Sequence, residues 1–128
     1  MGKKMTRELF VERVNAAFEK EYDGMYRATT DSSEWVELYV DELGWIYLDE
    51  KLTPYKVEDV ASIAVEEGAL ASEVVVYFNN GDSYNFVAGD YYAIIGGCEY
   101  DYKEVMAMYS PLNESKEPRE YSREEALQ

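Results

Sequence analysis

This sequence predicts an α+β domain: an N-terminal helix, an antiparallel β-meander of about four to five strands, one or two C-terminal helices and a mobile acidic tail. Three observations carry that expectation. Apolar residues near the start recur with a helical period. From about residue 35 the apolar residues alternate or cluster in short β-rich runs separated by turn residues. From Pro111 on the chain is rich in Pro, Glu, Ser and Lys with little to bury. The expected boundaries are a single domain over 1–110 and a flexible charged tail over 111–128.

The first helix is expected over 6–22. Phe10, Val14, Ala17, Phe18 and Tyr22 fall on one face, with Thr6 as N-cap and Gly24 as stop. Next, Val36, Leu38 and Val40 alternate with Trp35, Glu37, Tyr39 and Asp41, the pattern of a half-buried strand. Glu42-Leu43-Gly44 reads as a turn and Trp45–Asp49 as the return arm of a hairpin. Lys51–Lys56, with Pro54, reads as a loop. Val57–Glu67 fits a helix face or, over Asp59–Glu67, a strand; the strand builds a continuous meander with the β-rich run after it.

The run Glu73–Val87 holds the clearest local signal. Asn80-Gly81 between two β-rich runs predicts a type I′ hairpin, with Tyr77 opposite Tyr84 and Val75 opposite Phe86. Both faces are largely apolar, which places this hairpin centrally in its sheet. Tyr91–Ile95 is expected as a short helical or turn segment ended by Gly96-Gly97. Asp101-Tyr102-Lys103-Glu104 matches a capping box and starts a helix carrying Val105, Met106 and Tyr109.

Composition narrows the chemistry. There is no histidine, which removes the usual general base, proton relay and commonest metal ligand. The single cysteine, Cys98, cannot form an internal disulfide and suits a reducing compartment. With Glu99 and Asp101 close by it reads as a small buried or half-buried residue rather than a nucleophile. No phosphate-binding glycine motif is present, and Asn79-Asn80-Gly81-Asp82 lacks the spacing of a calcium loop. No catalytic residue, metal ligand or cofactor is expected, and the protein is read as a non-enzyme. The basic start Met1–Arg7 lacks a following apolar run, so it is not read as a signal peptide, and a cytoplasmic location is expected.

Charge is the feature that asks for a reason. From Ala28 to Tyr102 there are 16 Asp and Glu but only Lys51 and Lys56, and no Lys or Arg occurs from Val57 to Tyr102. The whole chain carries a formal −15, so it repels nucleic acid and anionic membranes and opposes its own compaction. A basic partner would relieve that strain. Carboxylates alternating with rings in the first hairpin suggest a strip that fits a channel built for a polynucleotide. The expected partner-binding residues are Glu34, Glu37, Tyr39, Asp41 and Glu42 on one side. Tyr47, Asp49, Glu50, Glu66 and Glu67 complete the set. In size, charge and lack of catalytic residues the chain resembles small acidic anti-CRISPR and anti-restriction proteins of phage. That resemblance implies a DNA-mimic inhibitor of a basic nuclease; an immunity protein against a nuclease toxin obeys the same logic. A second resemblance covers roughly residues 35–109: the order Tyr55, Val60, Ile63, the 73–87 hairpin and a C-terminal helix is similar to bacterial PH-like domains. It implies an adaptor that binds a peptide or a partner domain. The oligomeric state is left open.

Overall fold

The computed structural model describes residues 4–23, 25–34, 36–68 and 71–111. Helix α1 spans Arg7–Tyr22, with the Thr6 hydroxyl accepting the Leu9 N–H at 3.1 Å. Its stop is Asp23, which takes the left-handed conformation (φ 55°) and donates its N–H to the Glu19 carbonyl. Gly24 and Trp35 lie outside the described residues, as does the expected tail beyond Pro111. Phe10, Val14 and Phe18 are fully buried, as the helical period requires.

The strands form two sheets. The first is ordered β1 (Ala28–Thr29), β2 (Leu38–Val40), β3 (Trp45–Leu48), β4 (Lys51–Lys56) and β10 (Ser110–Pro111). β1 runs parallel to β2, and the other pairs are antiparallel. The second is a continuous antiparallel meander of β5 (Val60–Glu67), β6 (Ser72–Phe78), β7 (Ser83–Val87), β8 (Asp90–Ile95) and β9 (Cys98–Asp101). Helix α2 (Tyr102–Met108) comes next, and Asp101 and Glu104 form both halves of the expected capping box. One core joins these parts: Phe10, Val14 and Phe18 of α1 meet Leu38, Val40, Ile46 and Leu48 of the first sheet and Val74, Val76, Phe78 and Phe86 of the second. No helix among the described residues is long and apolar enough to cross a membrane.

The α+β class stands, but several local expectations are corrected. Lys51–Lys56 is a strand, not a loop. The register between β3 and β4 shifts between Trp45 and Tyr47, leaving Thr53–Tyr55 opposite Ile46 alone. Pro54 sits in that irregularity, where its missing N–H breaks no ladder bond. The Thr53 hydroxyl bonds the Ile46 carbonyl at 2.7 Å in place of a backbone donor. Val57–Asp59 forms one tight helical turn before β5, so the strand reading holds from Val60.

Tyr91–Ile95 is a strand as well. Apolar residues on both of its faces hid the alternation, and Gly96-Gly97 serves as a hairpin turn with φ of 61° and 85°, the type I′ requirement. Asn80-Gly81 does not form such a turn. Gly81 alone has positive φ, its N–H bonds the Phe78 carbonyl, and the Phe78 N–H bonds the Asp82 carbonyl. The loop is therefore the three-residue kind, a type I turn closed by a left-handed glycine. The extra residue moves the register by one: Val76 faces Tyr84 and Val74 faces Phe86. That shift puts Tyr84 and Phe86 in the core with Val74, Val76 and Phe78, and leaves Tyr77, Ser83 and Asn85 on the opposite face.

A candidate partner-binding surface

Most of the expected strip on the first hairpin is occupied internally. Asp41 is buried; its carboxylate accepts the N–H groups of Leu43 and Trp45 at 2.9 and 3.0 Å and the Tyr47 hydroxyl at 3.3 Å. It builds the turn, as an Asx residue at such a position does, and is not displayed. Tyr47 is fully buried and Tyr39 half-buried against it, their rings 5.4 Å apart. Glu37 accepts the Arg27 N–H at 3.0 Å, and Glu34 pairs with the Arg27 guanidinium at 3.2 Å. Glu42 lines a cavity of about 300 Å³ that Lys4, Arg7 and Lys56 also line. Glu42 itself is exposed. The sequence pattern counted Glu34, Glu37 and Asp41 as free because it could not see which backbone donors and cations the fold would bring to them.

Asp49 and Glu50 form the β3–β4 turn. Both have positive φ, 52° and 69°, a conformation that bulky residues rarely adopt. Glu50 is exposed, and Asp49 accepts the Tyr102 hydroxyl at 3.4 Å. The Asp49 charge, more than burial, raises the Tyr102 phenol above its ordinary value.

The remaining expected residues, Glu66 and Glu67, are exposed on β5 and lead to a surface that sequence patterning did not assemble. Cross-strand partners share a face, so the register defines the outward face of the second sheet. One row is Ala64, Val75, Asn85, Tyr92 and Asp101; the next is Ser62, Tyr77, Ser83, Ile94 and Glu99. On the other flank Glu66 lies directly opposite Glu73, and Val87 opposite Asp90. Every strand except β7 contributes a carboxylate to this face, and none of the five carries Lys or Arg. No ion pair among the described residues involves Glu66, Glu67, Glu73, Asp90, Glu99 or Asp101.

Tyrosine hydroxyls hold two of these carboxylates, Glu66 and Glu73, in place. The Tyr92 hydroxyl donates to Glu73 at 2.9 Å and the Asn85 amide to the same oxygen at 3.2 Å. Ser83 in turn bonds the Asn85 carbonyl oxygen at 2.8 Å, and Tyr77 donates to Glu66. Burial and then the bond to Glu73 push Tyr92 up to about 12. The bond to Glu66 is the main cause that raises Tyr77. Both phenols therefore stay protonated and act as fixed donors. Directly opposed like charges are unfavourable in a sheet, so Glu66 and Glu73 are retained against a local cost.

Comparison of the chain with protein-family models, with curated proteins and with solved structures finds no match. Chemically this face carries carboxylates and two phenol rings around a centre where Val75, Ser83 and Asn85 are buried, and the carboxylates suit guanidinium and ammonium groups. Among the described residues no group of His, Cys, Asp and Glu converges to hold a metal. Cys98 is exposed rather than buried, because the Gly96-Gly97 turn carries it to the corner of the sheet. Glu73, Tyr77, Tyr92 and Glu99 were missed at the sequence level. The signal that could have found them is the absence of Lys and Arg from Val57 to Tyr102.

Proposed function

We propose that this protein is a non-enzymatic acidic inhibitor that binds a basic, nucleic-acid-binding protein and takes the place of the nucleic acid. The observation that carries the reading is the Glu66–Glu73 pair, set directly opposite in a five-stranded face without a single Lys or Arg on its strands. A surface that keeps like charges adjacent gains most when a cationic partner covers it. Carboxylates set beside the rings of Tyr77 and Tyr92 supply what an arginine-lined channel recognises in a polynucleotide: negative charge and flat stacking area. A nuclease of a defence system or a nuclease toxin has such a channel. The electronegative element is thus the outward face of the second sheet, with the half-buried Asp49 and the exposed Glu50 as a separate acidic turn.

The test is capture of partners from a host lysate at low and high salt, with and without excess duplex DNA. The reading expects basic nucleic-acid-binding proteins that are released by salt and by DNA. Partners that resist both, and that are lost when apolar surface positions are changed instead, would point to the adaptor role.

A further inference from the structure

Strand β5 is an eight-residue edge, and β6 is its one strand partner among the described residues. The hydrogen-bond parity of β6 shows which way the β5 backbone points. Phe78 donates its N–H to Asp82 on the β7 side, and Asn79 donates to Asp59 on the β5 side. Bonding direction alternates along an antiparallel strand, so Glu73, Val75 and Tyr77 bond toward β5. Their partners there are Glu66, Ala64 and Ser62. The intervening Ile63, Val65 and Glu67 therefore present their N–H and C=O groups to the open side. Ala61, Ser62, Val65, Glu66 and Glu67 are all exposed. The register shift between Val60 and Ser62 bends only the beginning of the strand.

We propose that β5 is a docking edge that takes up an extended, basic segment of a partner protein as an added strand. This rests on the basic-partner reading and adds the mode of docking. An unpaired edge is a template for strand addition. The two faces of β5 set the chemistry of the guest. On the outward face an added strand lies beside Ser62, Ala64 and Glu66, with Glu73 one strand further, which favours Lys or Arg. On the other face it lies beside Ile63 and Val65, the latter 39% exposed, which favours apolar residues. The guest is thus a strand that alternates basic and apolar residues. A second copy of this chain is the wrong guest, since each copy carries −15.

The probe is a capped decapeptide alternating Lys and Val, alongside an analogue of equal charge with every second amide N-methylated. Both are titrated into the ¹⁵N-labelled full chain at low salt. The proposal expects the first to bind, the analogue to bind at least tenfold more weakly, and the amides of Ile63, Val65 and Glu67 to gain protection from hydrogen exchange. Val65→Pro removes an outward N–H and leaves the β6 ladder intact, so it should lose the peptide while keeping a cooperative melt. Should that variant not fold, the methylated peptide still decides. Equal binding of the two peptides overturns the docking edge and leaves the basic-partner reading standing. Failure of both peptides to bind at low salt counts against the docking edge and the basic-partner reading alike. Protection of the same amides without peptide, in step with dimer formation, also overturns the proposal.

Discussion

Removal of the Asp82 carboxylate sets two physical effects against each other and so tests what holds the two sheets together. Asp82 is buried at 7% exposure. One oxygen accepts the Tyr55 hydroxyl and the Asn80 amide, the latter at 3.1 Å, and the other accepts the Gly96 N–H at 2.9 Å. Through these bonds it ties β4 of the first sheet to two turns of the second. Asp82→Ala strands the hydroxyl of Tyr55, which is 6% exposed and stacked on Phe78 at 4.0 Å. A buried donor left without a partner costs about 1–3 kcal/mol, and the Gly96 bond adds about 1 kcal/mol. Against that, one negative charge fewer relieves self-repulsion by a few tenths of a kcal/mol. The expected net loss is about 2–4 kcal/mol, a large share of a total of about 5–15 kcal/mol.

Urea unfolding reads this directly. With a slope of about 2 kcal/mol/M the midpoint should fall by about 1–2 M at unchanged slope. Tyr55→Phe removes the stranded donor, so the double variant should lose about 1–2 kcal/mol less than the two single losses combined. A variant as stable as the parent, or strictly additive behaviour in the cycle, would refute the assignment of Asp82 as the tie between the sheets.

Three other outcomes are expected. Five tyrosines should ionise late: the free phenol titrates at about 10, whereas burial holds Tyr92 and Tyr109 up to about 12 and raises Tyr55, Tyr84 and Tyr91 further. The unfolded chain then sheds protons that the folded chain keeps, so their contribution is complete below about pH 10 and is lost as pH rises through about 12 and beyond. The last part of the rise in tyrosinate absorbance should therefore come together with loss of the circular dichroism signal, and completion of that rise at about pH 10 in the intact fold would contradict this. Replacement of Asp49-Glu50 by Asn-Gly relieves two left-handed residues at the β3–β4 turn and should raise stability by about 1 kcal/mol in thermal melts; no gain would mean the turn is unstrained. Glu66→Gln removes the repulsion with Glu73 and should stabilise the fold by about 0.2–1 kcal/mol at low salt, with the gain fading as salt screens the pair; destabilisation at every salt level would show that the pair is compensated.

The sequence made the helices legible because capping and periodicity are local. Thr6, the Phe10–Val14–Phe18 stripe and the Asp101–Glu104 box each needed only their neighbours. The strands failed where tertiary context decided. Pro54 argued against a strand until a bulge absorbed it, and Tyr91–Ile95 hid its alternation because both faces are apolar. Asn80-Gly81 carried the right residues for one turn and formed another, since three residues rather than two close that loop. That single step of register moved Tyr77 from a shared face with Tyr84 to the opposite one, where its hydroxyl meets Glu66. Asp41 shows the reverse error: a carboxylate in the right alternation is consumed by the turn it caps.

We propose above that the outward face of the second sheet attracts a cationic partner. The most direct measurement of that attraction is the affinity of the triple variant Glu66→Gln, Glu73→Gln and Glu99→Gln for a captured basic partner, tracked against salt. The Glu73→Gln change keeps an acceptor for Tyr92 and Asn85, so the fold is preserved while charge is removed. The account expects weaker binding than the parent at low salt and a shallower dependence on salt, the two curves converging at high salt. Identical affinity and identical salt dependence for variant and parent would contradict it.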